Sequence, residues 1–251
     1  MKEEALTWAK RDFDENKYEK PVADSVFFLK GWAFYSSKQL SKARECFDKV
    51  SNQSNMKTGA VFFSSLSSAY LEEYDLGVSN LENNKALLNN NTELYALEQA
   101  GFSLLKRDLK LYEDYSKNFS YTTYNLADKE KNLDSIFFSL KNYKKKSPFI
   151  AASLSAIVPG LGKVYAGQIG EGVSAFLTVG SFAAVTTENW IKHGFLNWKT
   201  LLFGSLGTVF YVGNIWGSAV SVKIGYDDFN EKQNISILYN IHLPLRNSFG
   251  L

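Results

Sequence analysis

Charge is distributed very unevenly along this 251-residue chain, and this distribution limits what the chain can fold into. Residues 1–146 carry 22 of the 28 Lys and Arg residues and 21 of the 26 Asp and Glu residues. The remainder contains three stretches without any charge, which are Ser147–Gly162, Gly172–Thr187 and Thr200–Val222. About 20 apolar residues in a helix cross the hydrocarbon core of a membrane. The pattern predicts a soluble domain followed, over 147–226, by a helical membrane domain of two to three hydrophobic segments. The buried helical core of a soluble domain is the alternative.

Small residues recur in the apolar region at a spacing that suits helix packing. Gly213 and Gly217 form a GxxxG pair within the longest charge-free stretch. Lipid gives apolar side chains no reason to associate with one another, so close backbone approach has to hold membrane helices together. We therefore expect Gly213 and Gly217 to mark a contact between helices.

A basic tract lies directly before the first charge-free stretch. Its lysines are Lys141, Lys144, Lys145 and Lys146. An excess of lysine is typical of the cytoplasmic flank of a membrane segment, and lysines near the surface attract anionic headgroups. The tract predicts a membrane-surface contact at the end of a linker over 120–146. A solvated linker is the alternative.

A pattern of small and aromatic residues in 24–50 predicts a pair of packed helices. When Asp24 is taken as position one of a 34-residue repeat, four signature positions are filled by Gly31, Phe34, Ala43 and Phe47. In this respect the segment resembles a tetratricopeptide repeat, in which small residues allow two helices to approach and aromatic rings fill the gap between them.

Two more degenerate pairs follow, the second starting at Ala60 and the third at Leu94. Such repeats bury their apolar faces only against neighbours, so about three are needed for stability. We therefore expect an all-α chain with a tetratricopeptide-like α-solenoid over 1–119.

The resemblance also implies a concave groove, lined by the first helix of each repeat, that binds a peptide or helix. Carried onto the first repeat, the groove positions include Phe28, Leu29, Trp32 and Tyr35. These side chains are more apolar than a solvated surface requires. We predict that they contact a protein partner, while packing against an additional N-terminal helix is the alternative.

The segment PGLGKVYAGQ contains the most specific motif of the chain, at Pro159, Gly160, Gly162, Tyr165 and Gly167. It is not a phosphate-binding P-loop, because Ile and Val stand where that motif requires Gly and Ser or Thr. The five residues resemble the PGxGxxYxG turn of bacterial two-span hairpin domains. Combined with helical repeats, such a hairpin is similar to membrane proteins of the Bacteroidota. The resemblance implies a bacterial envelope protein, at the inner membrane, without enzymatic activity.

Chemistry-bearing residues are few. One cysteine, Cys46, allows no intramolecular disulfide, and the two histidines, His193 and His242, do not make a histidine-rich metal centre. We found no catalytic arrangement and expect no metal, no cofactor and no small-molecule substrate. A net charge of +2 argues against nucleic acid as a partner.

The function expected from these features is that of a non-enzymatic adaptor or scaffold, tethered to the lipid bilayer, that binds protein partners among other envelope or membrane proteins. The alternative is an accessory subunit or assembly factor of a larger membrane complex. The start of the sequence shows no apolar signal, which favours repeats on the cytoplasmic side, whereas removal of a signal peptide would place them in the periplasm.

The polar tail, 227–251, contains an alternation of apolar and polar residues. Ile235, Ile237, Tyr239, Ile241 and Leu243 recur with a period of two. This pattern predicts a β-strand over 235–243 that pairs with a sheet outside the chain or with a second copy. An irregular tail at the membrane surface is the alternative.

Overall fold

A computed structural model describes residues 2–11 and 18–249, and every regular element in these ranges is a helix. The prediction of an all-α fold is confirmed for this part of the chain. It divides into two compact units. Unit 1 comprises the described residues up to Asn142 together with those from Gln233 onwards, and unit 2 comprises Tyr143–Lys232.

Unit 1 is built largely from successive pairs of helices. The helices are α1 (Lys2–Ala9), α2 (Lys20–Ser36), α3 (Leu40–Asp48), α4 (Lys57–Tyr70), α5 (Tyr74–Asn83), a 3-10 helix (Lys85–Asn91), α6 (Thr92–Leu105), α7 (Leu109–Ser116) and α8 (Ala127–Asn142). Consecutive helices pack on one another from α1 to α7, and α8 packs on both α6 and α7. The predicted linker, 120–146, therefore includes a helix that belongs to unit 1.

The same turn joins the two helices of each pair. Lys38, Glu72 and Arg107 have φ angles of 61°, 62° and 60°, in the left-handed region. Just after each of them a backbone N–H donates to a carbonyl five residues back, at 2.9 Å, from Gln39 to Phe34, from Glu73 to Ser68 and from Asp108 to Ser103. This is the Schellman arrangement that ends helices. Its recurrence at close to a 34-residue spacing makes the three pairs structurally equivalent.

The small and aromatic residues predicted at the first pair lie at its helix–helix contact. Gly31, Phe34, Ala43 and Phe47 are buried, and a Cβ atom on Gly31 would lie 2.7 Å from the Phe47 ring. In the second pair the recurring turn aligns Ala43 with Gly77 and Phe47 with Leu81. The sequence prediction starts the second pair at Ala60, which is two residues too late, and therefore does not include Gly77. A Cβ atom on Gly77 would overlap the ring of Phe102.

Unit 2 consists of apolar helices. They are α9 (Pro148–Ile157), α10 (Leu161–Ala166), α11 (Ile169–His193) and the part of α12 (Trp198–Phe249) that ends at Lys232. Within the described residues one helix, α11, is long and apolar enough to cross a membrane. Helix α9 is apolar but has only 10 residues.

The predicted β-strand over 235–243 is wrong, because this segment forms part of α12. The alternating residues fall on opposite sides of the helix. Ile237 and Ile241 are fully buried, whereas Ile235 and Tyr239 are 60% and 56% exposed. The buried stripe continues to Leu245, with the four-residue spacing of a helix face. Pro244 also lies inside this helix.

Candidate functional site

The last helical segment of unit 1, residues 233–249 of α12, lies against the first helices of the three pairs. We call this segment the tail helix, and we call the surface of α2, α4 and α6 that it covers the groove. Three apolar residues of the tail helix, Ile237, Ile241 and Leu245, are fully buried and belong to the main hydrophobic core of the chain. The tail helix therefore completes the fold of unit 1.

Two glycines of the groove receive apolar side chains of the tail helix. Gly101 of α6 lies directly under Ile241, and a Cβ atom at this position would overlap the Cγ2 methyl of that isoleucine. Gly59 of α4 lies between the rings of Phe28 and Phe249, where a Cβ atom would be 3.3 Å from each. Phe249 also contacts the rings of Phe62 and Phe63.

Polar contacts fix the direction of the tail helix. Arg107, just beyond α6, donates to Oδ1 of Asn234 at 2.8 Å, and Asn132 of α8 donates to Oδ1 of Asn240 at 3.0 Å. The Tyr70 hydroxyl and Nδ1 of His242 are 3.1 Å apart. Residue numbers fall along α6 as they rise along the tail helix, from Arg107–Asn234 to Gly101–Ile241. The two helices are therefore antiparallel.

Several buried polar atoms of α6 and of the tail helix lack hydrogen-bond partners. Both carboxyl oxygens of Glu98, Oε1 of Gln99 and Nε2 of His242 are buried without a partner among the described residues. Burial raises the pKa of Glu98 well above its usual range and lowers the pKa of His242. Burial thus favours the protonated form of Glu98 and the uncharged form of His242.

Tyr35 lies beside these groups. Within the described part of the chain its buried hydroxyl makes no hydrogen bond of good geometry. Burial raises the pKa of Tyr35 strongly, and the nearby Tyr70 and Glu98 raise it further. The Tyr35 ring stands edge-on to the ring of His242, with centroids 5.7 Å apart. The groove is thus apolar along its length with a polar cluster at its centre.

The four residues predicted to bind a partner differ in their burial and in the elements they face. Phe28 and Tyr35 are buried, with the tail helix close to both. Leu29 is half exposed, whereas Trp32 is partly buried against the core, with its ring stacked on that of Tyr35. Leu29 and Trp32 also face Trp8 of α1 across a cleft of about 540 Å³. Helix α2 thus contributes Phe28 and Tyr35 to the groove, whereas Leu29 and Trp32 lie on the side towards α1.

In unit 2 the glycines of the PGLGKVYAG motif bring helices together. Gly160 and Gly167 have φ angles of 86° and 102°, which L side chains rarely adopt, and they flank the short helix α10. A Cβ atom on Gly160 would overlap the carbonyl oxygen of Gly172, and one on Gly162 would overlap that of Ala151. Pro159 lies in the link between α9 and α10. The motif therefore packs α10 tightly against α9 and α11.

Two serines that the sequence interpretation missed join this turn to α12. Ser155 accepts a hydrogen bond from the backbone N–H of Gly162 at 2.9 Å, and its hydroxyl lies 2.7 Å from that of Ser218. Tyr165 accepts from the backbone N–H of Ser147 at 3.2 Å. Ser155 and Ser218 form a buried polar connection inside this largely apolar unit. Ser155 and Ser218 carry no motif, so only the fold reveals the pairing.

The four lysines of the basic tract lie in different environments. Lys141 belongs to unit 1, where it forms an ion pair with Glu113 at 2.8 Å. Lys144 is exposed on unit 2. Lys145 and Lys146 lie over the rings of Tyr226 and Tyr165, at 4.5 Å and 5.8 Å from the ring centroids. The stems of these two lysines thus cover aromatic surface at one end of unit 2.

The two glycines of the predicted GxxxG pair make little contact with other helices. A Cβ atom on Gly213 would meet no described atom within 4 Å, and one on Gly217 would lie 3.8 Å from Lys163. The contact with α11 instead involves Gly207, where a Cβ atom would lie 3.1 Å from Phe182. Gly213 is open.

The distribution of polar and apolar residues in unit 2 is the reverse of that in unit 1. Among its described residues the fully or nearly buried apolar side chains are Ala151 and Val222, and the buried polar ones are Ser155, Thr200, Asn214, Ser218 and Ser221. Its exposed side chains include many large apolar ones, among them Phe149, Ile157, Ile191, Leu196, Val209 and Trp216. Monomeric soluble proteins rarely expose so large an apolar surface.

Comparison with known proteins gives no match. No protein-family model, no curated protein and no solved structure matches this chain. Among the described residues no group of three or more His, Cys, Asp or Glu side chains could hold a metal ion.

Proposed function

We propose that this protein is a membrane-anchored, non-enzymatic adaptor, in which unit 2 is embedded in a bacterial inner membrane and unit 1 binds a protein partner. The membrane part of the proposal is supported by the exposed apolar side chains of unit 2, together with the length and hydropathy of α11. In lipid such a surface is solvated, and the polar groups have to be satisfied internally. The Ser155–Ser218 hydrogen bond agrees with that requirement.

The observation that carries the adaptor part is the binding of the tail helix in the groove. An amphipathic helix with apolar residues at four-residue spacing is held by the first helices of three equivalent pairs. Helix-in-groove recognition of partners uses the same pattern of apolar anchors. The equivalent turns at Lys38, Glu72 and Arg107 support the resemblance to tetratricopeptide repeats, whose members bind peptides and helices.

Affinity purification of the full-length protein from its own membranes in mild detergent tests the proposal. Because the tail helix completes the core of unit 1, a fragment ending near residue 146 would expose the groove and is unsuitable. Trp32→Ala removes an aromatic surface of unit 1 and should release the partner, whereas Trp216→Ala removes an exposed aromatic of unit 2 and should retain it. Equal retention by both variants would contradict the adaptor function.

A second candidate is an accessory subunit that contacts another membrane protein through unit 2. It is favoured by the open surface at Gly180 and Gly213, where a Cβ atom would meet no described atom within 4 Å. Small residues left open on membrane helices allow a further helix to approach closely. In the same affinity purification, this candidate would be supported if the Gly213→Leu variant lost the partner while the Trp32→Ala variant retained it.

A further inference from the structure

The groove of unit 1 holds the chain's own tail helix, but its polar groups are not matched by that occupant. The apolar side chains of the tail helix fit the groove completely, since Ile237, Ile241 and Leu245 are fully buried. On the polar side, both carboxyl oxygens of Glu98 are buried without a partner among the described residues. A buried polar group that loses its hydrogen bonds with water and gains none weakens the complex that buries it.

The register of the two helices shows which residue of the tail helix faces Glu98. Gly101 of α6 lies under Ile241, and Glu98 lies on the same face of α6, three residues earlier. The helices are antiparallel and have the same rise per residue, so Glu98 is level with Pro244 and Leu245. Of these two, Leu245 is fully buried at 0% exposure and its side chain offers no hydrogen-bonding group.

We propose that the groove binds an amphipathic helix of a partner protein in exchange with the tail helix, and that this partner helix carries a lysine or arginine in the place of Leu245. Its ammonium or guanidinium group pairs with the Glu98 carboxylate. Its apolar residues one and two turns earlier take the places of Ile241 and Ile237. The inference rests on the adaptor function proposed above and names the chemistry of the partner.

A partner helix can replace the tail helix because each of the two binds the groove with a different free-energy disadvantage. The tail helix is part of the same chain and therefore competes as an intramolecular ligand, but it leaves Glu98 without a hydrogen-bond partner among the described residues. A partner helix with a basic residue has to bind from solution, but it forms a charge-assisted hydrogen bond to the same carboxyl group, the strongest class of hydrogen bond in proteins. Basic character at one position thus decides which helix occupies the groove.

Two fluorescent peptides with the sequence of residues 233–249 test this, one with Leu245→Lys and one with Leu245→Met. Binding of each to the full-length protein in detergent is measured by fluorescence anisotropy. The attached tail helix competes equally with both peptides, so the ratio of their apparent Kd values reports the contribution of the basic group. We expect the lysine peptide to bind about tenfold more tightly or better, and the difference to disappear in Glu98→Gln.

Equal affinity of the two peptides, a preference that persists in Glu98→Gln, or binding of neither peptide would overturn the inference. Glu98→Met, a second neutral variant, should also abolish the preference and guards against a local defect specific to glutamine. The outcome is separable from that of the proposed function. If the lysine preference holds but no partner is retained from membranes, the adaptor function fails while the groove chemistry stands.

Discussion

Ile241 lies directly on Gly101, so that the backbone of α6 and the branched side chain of the tail helix touch without an intervening Cβ atom. The contact joins residues that are far apart in the sequence, and it sets the depth at which the tail helix enters the groove. Neither residue was singled out for this role by the sequence.

Gly101→Ala should lower the stability of unit 1 by about 1–3 kcal/mol, because the added methyl overlaps Cγ2 of Ile241 in a packed core. Ile241→Leu removes the branch at Cβ and should restore most of the loss, whereas Ile241→Val keeps that branch and should not. Chemical denaturation of the full-length protein in detergent measures all three. Equal rescue by Leu and Val would show that the contact is not the cause.

Ile237→Ala should cost about 2–5 kcal/mol, since it deletes a fully buried side chain from the core. Ile235→Ala, only two residues away, should change stability by less than about 0.5 kcal/mol, because Ile235 is 60% exposed. The pair distinguishes a helix from a strand, in which both residues would share one face. Similar losses from the two substitutions, in the same denaturation experiment, would argue against the helix.

Glu98→Gln should make unit 1 less sensitive to rising pH. The pKa of Glu98 is raised by burial, so the folded protein holds a proton that the unfolded chain releases near the ordinary value of 4.5. Stability is therefore greatest below that value and falls as pH rises towards the folded pKa, by about 1.4 kcal/mol per pH unit. Burial raises the pKa of both Tyr35 and Tyr70, so neither hydroxyl is expected to change charge between pH 5 and 8.

The comparison is between wild type and Glu98→Gln at each pH, because His242 acts in the opposite direction. Its lowered pKa means that stability is lost as pH falls below 6.5. This term is common to both proteins and cancels. Thermal unfolding from pH 5 to 8 should show wild type losing stability relative to the variant, and parallel curves would contradict the assignment.

Leu177→Arg should prevent normal insertion if unit 2 lies in a membrane. Leu177 is 60% exposed on α11, so in water the substitution would have almost no effect. Near the middle of a membrane helix arginine costs about 2.5–3.5 kcal/mol. Leu76→Arg, at a comparably exposed position on α5 of unit 1, is the matched control. Carbonate extraction of membranes measures retention, and unchanged retention of Leu177→Arg would count against embedding.

Gly162→Ala should destabilise unit 2 by about 1–3 kcal/mol, because its methyl group would overlap the carbonyl oxygen of Ala151. Gly170→Ala is the control, since a Cβ atom there meets no described atom within 4 Å. The yield and the thermal unfolding midpoint of the detergent-purified protein report the difference. Equal behaviour of the two variants would mean that α9 and α10 can separate at little cost.

The sequence by itself determined the helical class, the first helix pair and the glycine turn of unit 2. Each depends on interactions between residues close in the chain. The contact between Gly31 and Phe47 lies within one helix pair. Gly160 has a left-handed backbone conformation, which glycine adopts without strain. Because such local interactions require particular residue types at fixed spacings, they can be predicted from the sequence.

Only the tertiary structure determined that the tail segment forms a helix and where it binds. Alternating apolar residues over 235–243 fit a strand as well as they fit one side of a helix, and periodicity over nine residues does not separate the two. The choice follows from what is available to cover the apolar residues. A helix continuing from upstream needs no new nucleation, and the groove offers Gly101 and Gly59 to receive Ile241 and Phe249. That surface exists only after three helix pairs have folded, which is why the sequence of the tail does not reveal it.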